Sequence, residues 1–118
     1  MRLAVTSDVE HGVGVVVASG EVDLATAPSL RQAISDHLAA GQTLLLLDMT
    51  DVTFIDSTGL GILVGAAKKA RGLGGSMRLV CDNPRILRLL TITGLARALP
   101  VHPTRAEAVL DWRDEAVG

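Results

Sequence analysis

Asp56, Ser57 and Thr58 precede Gly59 and Gly61, and this run of one carboxylate and two hydroxyls before a pair of glycines is where the chain could carry chemistry. Three chemistries use such a run. A dinucleotide site would read Gly59-x-Gly61-x-x-x-Gly65 as its phosphate loop and Asp82, about twenty residues on, as its ribose carboxylate. The third glycine is one residue too distant, polar residues precede the first, and there is no room for two mononucleotide halves. A serine hydrolase would need Gly-x-Ser-x-Gly around the nucleophile and a base beside it. Ile55 stands where the first glycine should be, and His11, His37 and His102 fall on a turn, a helix face and a late loop. The third chemistry makes Ser57 a substrate. A phosphate there would add about −1.5 to −2 charges at a helix start, where backbone N–H groups and the helix dipole favour an anion. The fold would tolerate it, and a partner docked on a neutral hydroxyl would not.

The elements around the run must place it at a corner. Thr53, Phe54 and Ile55 end an extended stretch, and from Gly59 the apolar positions recur at helical spacing, which puts Ser57 at the expected N-cap. Leu60, Leu63, Val64, Ala67 and Ala70 form the expected buried stripe. Gly61, Gly65, Lys69 and Gly72 then share the opposite face, with Ile62 on its flank. Glycine inside a helix costs about 0.8–1 kcal/mol relative to alanine, so several on one face imply close approach of another surface.

Along the rest of the chain, Leu3 to Val9 and Val13 to Ser19 read as a hairpin turning at His11-Gly12. A helix follows Pro28 through Leu30, Ala33, Ile34 and Leu38 to Gly41, with His37 on its polar side. Thr43 to Asp48 and Ser76 to Cys81 are continuous apolar runs, as in strands covered on both faces. Asn83-Pro84 opens a helix that stops at Gly94. Val101-His102 forms a short strand, and Thr104 with Glu107 makes a capping box for a last helix through Val109 and Trp112. The order β-β-α-β-α-β-α-β-α predicts an α/β fold: a mixed sheet of four to five strands with parallel crossovers and about four helices, in one domain over residues 1–118.

Composition narrows the partners. The 118 residues carry a formal net charge of −2, which gives no basic footprint for nucleic acid. Cys81 is the single cysteine and reads as a buried hydrophobe in a reducing compartment. No signal peptide is expected at the N-terminus, and the apolar run Gly59 to Ala67 is too short to cross a bilayer about 30 Å thick. A cytoplasmic location follows, with no membrane partner. No second histidine or carboxylate pattern supports a metal site at His11.

GEVDLATAPSLRQAI (Gly20 to Ile34), VTFIDSTGLGILVG (Val52 to Gly65) and ITGLARALPVHPTRAEAV (Ile92 to Val109) together resemble the anti-sigma factor antagonists of bacteria, which are free-standing STAS domains. Order and spacing agree over almost the whole chain, closest to the general-stress and actinobacterial members. The resemblance implies a STAS-like fold and a partner-switching role. The unmodified protein would bind an anti-sigma factor that is also a serine kinase of the histidine-kinase-like ATPase fold, so freeing the sigma factor. Phosphorylation of Ser57 would end the binding, and a PP2C-type phosphatase would reset it. Asp23 and Asp56 would be the acidic residues at the phosphorylation site, and Thr58 the neighbouring hydroxyl. Neither carboxylate would be catalytic, because the kinase supplies nucleotide and metal; the chain would be no enzyme and hold no cofactor. Gly59, Gly61, Ile62, Gly65 and Lys69 form the candidate partner-binding surface on the geometry above. The alternative is a STAS domain that serves constitutively as an interaction subunit of a stress-sensing scaffold or a transport complex.

Overall fold

A computed structural model describes residues 2–117, with side chains described for all of these except 111 and 113–117. It begins with a hairpin of β1 (Ala4–Glu10) and β2 (Val13–Val22). Glu10 pairs with Val13, so the loop is His11 and Gly12 alone, at φ of 52° and 81°. Both positive φ values are those of the turn whose twist matches antiparallel strands, and Gly12 takes its conformation without a side-chain penalty.

Thereafter α1 (Ala27–Ala39), β3 (Leu44–Ile55), α2 (Ser57–Gly72), β4 (Ser76–Val80), α3 (Pro84–Ile92), the single turn α4 (Leu95–Ala98), β5 (Val101–His102) and α5 (Arg105–Val117) follow. The sheet order is β1-β2-β3-β4-β5, with β1 antiparallel to β2 and the other neighbours parallel. Each crossover moves one strand along in the same direction. Crossovers of the usual right hand therefore lay α1, α2 and α3 on one face.

The packing agrees with that rule. Leu30 and Ile34 of α1, Leu63 and Ala67 of α2, and Ile86 and Leu90 of α3 share one core with Leu45, Leu47, Met77 and Leu79 of the sheet. Among the described residues only α5 covers the other face, where Ala108 and Trp112 pack on Val13, Val15, Leu46 and Val80. Arg105 holds the start of α5 by donating from Nε to Asp48 Oδ2 at 2.7 Å. Trp112 donates from Nε1 to Ser76 Oγ at 2.8 Å and lies under the Arg78 guanidinium, 4.9 Å from its ring centroid.

Three expectations change. The extended stretch before the corner is not separate from the Thr43 to Asp48 run: β3 is one strand of 12 residues. Register shifts against β2 between Val17 and Ser19 and between Gly20 and Glu21 give β3 extra residues, so Met49, Val52 and Ile55 reach the core at a spacing of three. Such bulges break the two-residue alternation that marks a strand in sequence. His37 is buried rather than solvated. Its Nδ1 is bonded to Gln42 Oε1 at 2.5 Å, and the ring fills the space left by Gly14, where a Cβ would lie 2.8 Å from that nitrogen. Ser57 is not the cap of α2. Asp56 is, for the reason given next.

Candidate functional site

The corner is carried out from the sheet by β3 itself. Pairing with β4 ends at Asp48 and Val80, whereas pairing with β2 continues to Val22 and Ile55. The last turn of the strand is thus supported on one side only. Asp56 N–H donates to Val22 O at 3.1 Å, which ties the β3–α2 corner to the β2–α1 loop. Asn83 Nδ2 donates to Val52 O at 3.5 Å from the other side.

Asp56 is extended, at φ −104° and ψ −174°, and its Oδ1 accepts from Gly59 N at 3.1 Å while its carbonyl accepts from Leu60 N at 3.0 Å. Those bonds make it the N-cap, since a carboxylate at the positive end of the helix satisfies an otherwise orphaned donor. Ser57 becomes the first helical residue. It is exposed, and its hydroxyl bonds to no described residue. Thr58 beside it is half-buried.

Gly59 leaves the expected partner-facing surface. It is buried, and a Cβ there would lie 2.7 Å from both Ile55 Cγ1 and Val22 Cγ1, so this glycine exists for packing beneath the corner. Gly61, Gly65 and Lys69 are exposed, and neither glycine has any atom within 4 Å of where its Cβ would be. Ile62 is half-buried against the core.

Asp23 lies in the neighbouring loop as a turn former. Its Oδ1 accepts from Ala25 N at 2.9 Å, Thr26 N at 3.0 Å and Thr26 Oγ1 at 3.1 Å. The Thr26 hydroxyl is shared, since it also stands 2.7 Å from Glu21 O and accepts from Asp23 N at 2.9 Å. The Thr26 N–H holds the Asp23 carboxyl below its usual range, joined by the Thr26 hydroxyl and Ala25 N–H. α1 itself starts at Ala27 with no side-chain cap. The corner therefore presents a hydroxyl bonded to no described residue next to the Asp56 carboxylate, while the Asp23 carboxylate of the adjoining loop is likewise fixed by backbone donors.

Two apolar side chains stand exposed near the corner in sequence, Leu24 in the β2–α1 loop and Phe54 in the last residues of β3. Leu24 is 75% exposed and Phe54 is 49% exposed. The sequence treats Phe54 as a strand residue and Leu24 as a helix approach, and neither announces exposure; the signal available was a leucine inside a polar loop. Sequence reasoning also missed the other bank of the glycine face. Arg31, Ser35 and Leu38 of α1 line one groove of about 390 Å³ with Thr58, Gly61, Gly65 and Lys69 of α2. Among the described residues no cluster of histidine, cysteine and carboxylate side chains could hold a metal ion, and no helix is long and apolar enough to cross a membrane.

Comparison with known proteins adds the lineage. An anti-sigma-B factor antagonist of Listeria monocytogenes is 35% identical over 100 residues, 85% of this chain and 86% of that protein. An anti-sigma-F factor antagonist of Mycobacterium tuberculosis is 39% identical over 113 residues, 94% of this chain and 90% of that protein. The crystal structure of an anti-sigma factor antagonist from Mycobacterium paratuberculosis superposes with a TM-score of 0.87 at 34% identity, covering 94% of each chain. The STAS domain family matches residues 4–108, from the first strand into the last helix, and the chain belongs to that family.

Proposed function

We propose that this chain is an anti-sigma factor antagonist switched by phosphorylation of Ser57, a regulator by binding and not by catalysis. The observation that carries the reading is the division of labour at the corner. Asp56 caps α2, and Ser57 is left exposed with no bond to a described residue. A serine with that freedom at a helix start is available to a kinase, and its modification need not disturb the fold. The relatives that bear the antagonist name, aligned over most of this chain, support the same role.

In this reading the unmodified corner docks on an anti-sigma factor in the cytoplasm, and the docked partner is a serine kinase of the histidine-kinase-like ATPase fold. Exposed Leu24 and Phe54 supply apolar contact, and Gly61, Ile62, Gly65 and Lys69 extend the surface along α2. Transfer of a phosphoryl group to Ser57 places a dianion beside Asp56, where the partner would have to desolvate it. A loss of about 3 kcal/mol weakens binding roughly a hundredfold, at about 1.4 kcal/mol for each factor of ten. A PP2C-type phosphatase restores the hydroxyl.

The test is binding and phosphorylation together. Ser57→Ala is expected to hold the kinase as tightly as wild type and to accept no phosphate. Ser57→Glu is expected to bind at least tenfold more weakly, and mass spectrometry of the protein from its own cells should find phosphate on Ser57. Equal binding by all three forms, with Ser57 unmodified in every growth condition, would end the switch reading and make the chain a constitutive interaction subunit.

A further inference from the structure

The groove between α1 and α2 has a form that its own chain does not account for. Its residues follow helical ridges on both banks, 31, 34, 35 and 38 on α1 and 58, 61, 62, 65, 66 and 69 on α2. The buried Ile34 and Leu38 lie deepest, and Gly61 and Gly65, one turn apart, stand exposed on the α2 bank with open space where their Cβ atoms would be. Two residues that each weaken α2, with no described atom within 4 Å of that Cβ position, are explained by close approach of a backbone from outside.

Charge gives the second observation. Arg31 on one bank and Lys69 on the other are both exposed, neither bonds to a described residue, and no carboxylate lines the groove. This occurs on a chain whose net charge is −2, so the positive groove is local. α1 and α2 both run back from the carboxyl ends of parallel strands and so point the same way. Arg31, in the early part of α1, falls toward the Ser57 end, and Lys69, in the last turn of α2, toward the far end. Eight residues separate Gly61 from Lys69, about 12 Å along a helix at 1.5 Å per residue.

We infer that the α1–α2 groove receives an acidic helix of the partner protein, and the inference rests on the reading of this surface as the docking face of an anti-sigma factor. The helix lies along α2 with a small residue over Gly61 and Gly65, and its carboxylates, one toward each end of the groove, meet Arg31 and Lys69. An amphipathic helix docks into a groove by anchors on one face, and opposite charge sets its register and orientation. Thr58 lines the groove beside Ser57, so the helix and the switch occupy one continuous surface.

The experiment is calorimetric titration of the anti-sigma factor kinases of the chain's own genome with wild type, Ser57→Glu, Gly65→Leu and the double variant Arg31→Glu/Lys69→Glu. Hydrogen exchange of the wild-type complex is measured alongside. Gly65→Leu projects into open space, and all variants are checked by thermal melting. Gly65→Leu and the double variant are expected to bind at least tenfold more weakly while melting at or above the wild-type temperature. Exchange protection should fall on 31–38 and 58–69, and in the partner on a helical peptide of net negative charge. Wild-type affinity should fall with added salt, and that dependence should vanish in the double variant. If Ser57→Glu loses binding while both groove variants bind like wild type, the groove is no part of the interface and the acidic helix is refuted with the switch intact. Protection of the groove by a partner segment that is neutral or basic would refute it as well. If no kinase binds wild type, the parent reading fails, and the groove inference with it.

Discussion

Three glycines of α2 lie within seven residues of one another, and the same substitution should move stability in opposite directions among them. At Gly61 and Gly65 an alanine Cβ meets no atom within 4 Å. The change therefore acts only on the helix, where alanine is better than glycine by about 0.8–1 kcal/mol. The double variant should gain about 2 kcal/mol, which for a domain of this size raises the melting temperature by roughly 6–8 °C, at a little under 4 °C per kcal/mol. At Gly59 the same Cβ would lie 2.7 Å from Ile55 Cγ1 and Val22 Cγ1. Those atoms belong to core residues 3% and 0% exposed, so neither can swing into solvent. Overpacking of this kind costs about 1–3 kcal/mol and outweighs the helix gain, so Gly59→Ala should melt several degrees below wild type. The assay is urea and thermal unfolding of the three single variants and the Gly61/Gly65 pair, with the urea m-value as a check that the denatured state is unchanged. A lower midpoint for Gly61→Ala or Gly65→Ala would show that the space over these glycines is occupied within the molecule. A raised midpoint for Gly59→Ala would show that the corner is loose. Either result would refute the packing described for α2.

Other residues give shorter tests. Leu24→Ala and Phe54→Ala remove exposed apolar side chains, so each should leave unfolding within about 0.5 kcal/mol of wild type, yet weaken anti-sigma factor binding by more than about 1 kcal/mol in titration. Asp48 is opposed by burial, but the Thr50 hydroxyl and N–H and then Arg105 overcome that and lower its pKa. An unfolded chain takes up a proton there near the ordinary value of about 3.9 while the native carboxylate stays ionised. Wild type should therefore exceed Asp48→Asn in stability, by about 1–3 kcal/mol, above pH 4, and the difference should shrink as pH falls below 4 in parallel melts. Burial pushes the Cys81 thiol up, and the charges of Asp82 and Asp48 push the same way. A thiol reagent such as dithiobisnitrobenzoate should thus react with the native protein no faster than the chain unfolds.

Much of the architecture was legible because the relevant signals are local. Asn83 before Pro84, Gly94 at φ 79° and Thr104 accepting from Glu107 N each sit where sequence rules place caps and stops. The family resemblance and the central run located the corner. What was not legible depended on partners distant in sequence. The bulges in β3 are a relation between β3 and β2, so no periodicity within residues 44–55 contains them. His37 is polar by type and occupies a polar stripe by spacing, yet Gly14 on β2 leaves it a pocket. Asp48 reads as the polar end of an apolar run, and its role is to hold Arg105, 57 positions later. The groove needed Arg31 and Lys69 to be brought onto facing helices, which only the crossover topology does.

In the switch proposed above, the cap would let a change of charge act without a conformational change. Had Ser57 been the N-cap, as its position beside a helix first implies, its oxygen would be tied to a first-turn N–H, and a phosphate there would be drawn into the cap rather than presented to a partner. With Asp56 in that place, the phosphate on Ser57 meets two opposing effects. The helix start favours an anion by about 0.3–1 kcal/mol. The neighbouring carboxylate opposes it, and for an exposed pair a few ångströms apart in water that repulsion is about 1–2 kcal/mol. The net cost to the fold is then about 1 kcal/mol, small beside the roughly 5–15 kcal/mol by which a domain is stable, so the folded domain has little reason to move in either state. The energetic consequence then falls on whatever covers the corner, where water can no longer screen the dianion. In that switch Asp56 would separate folding from signalling: one residue of the pair keeps the helix, and the next is left free to change its charge.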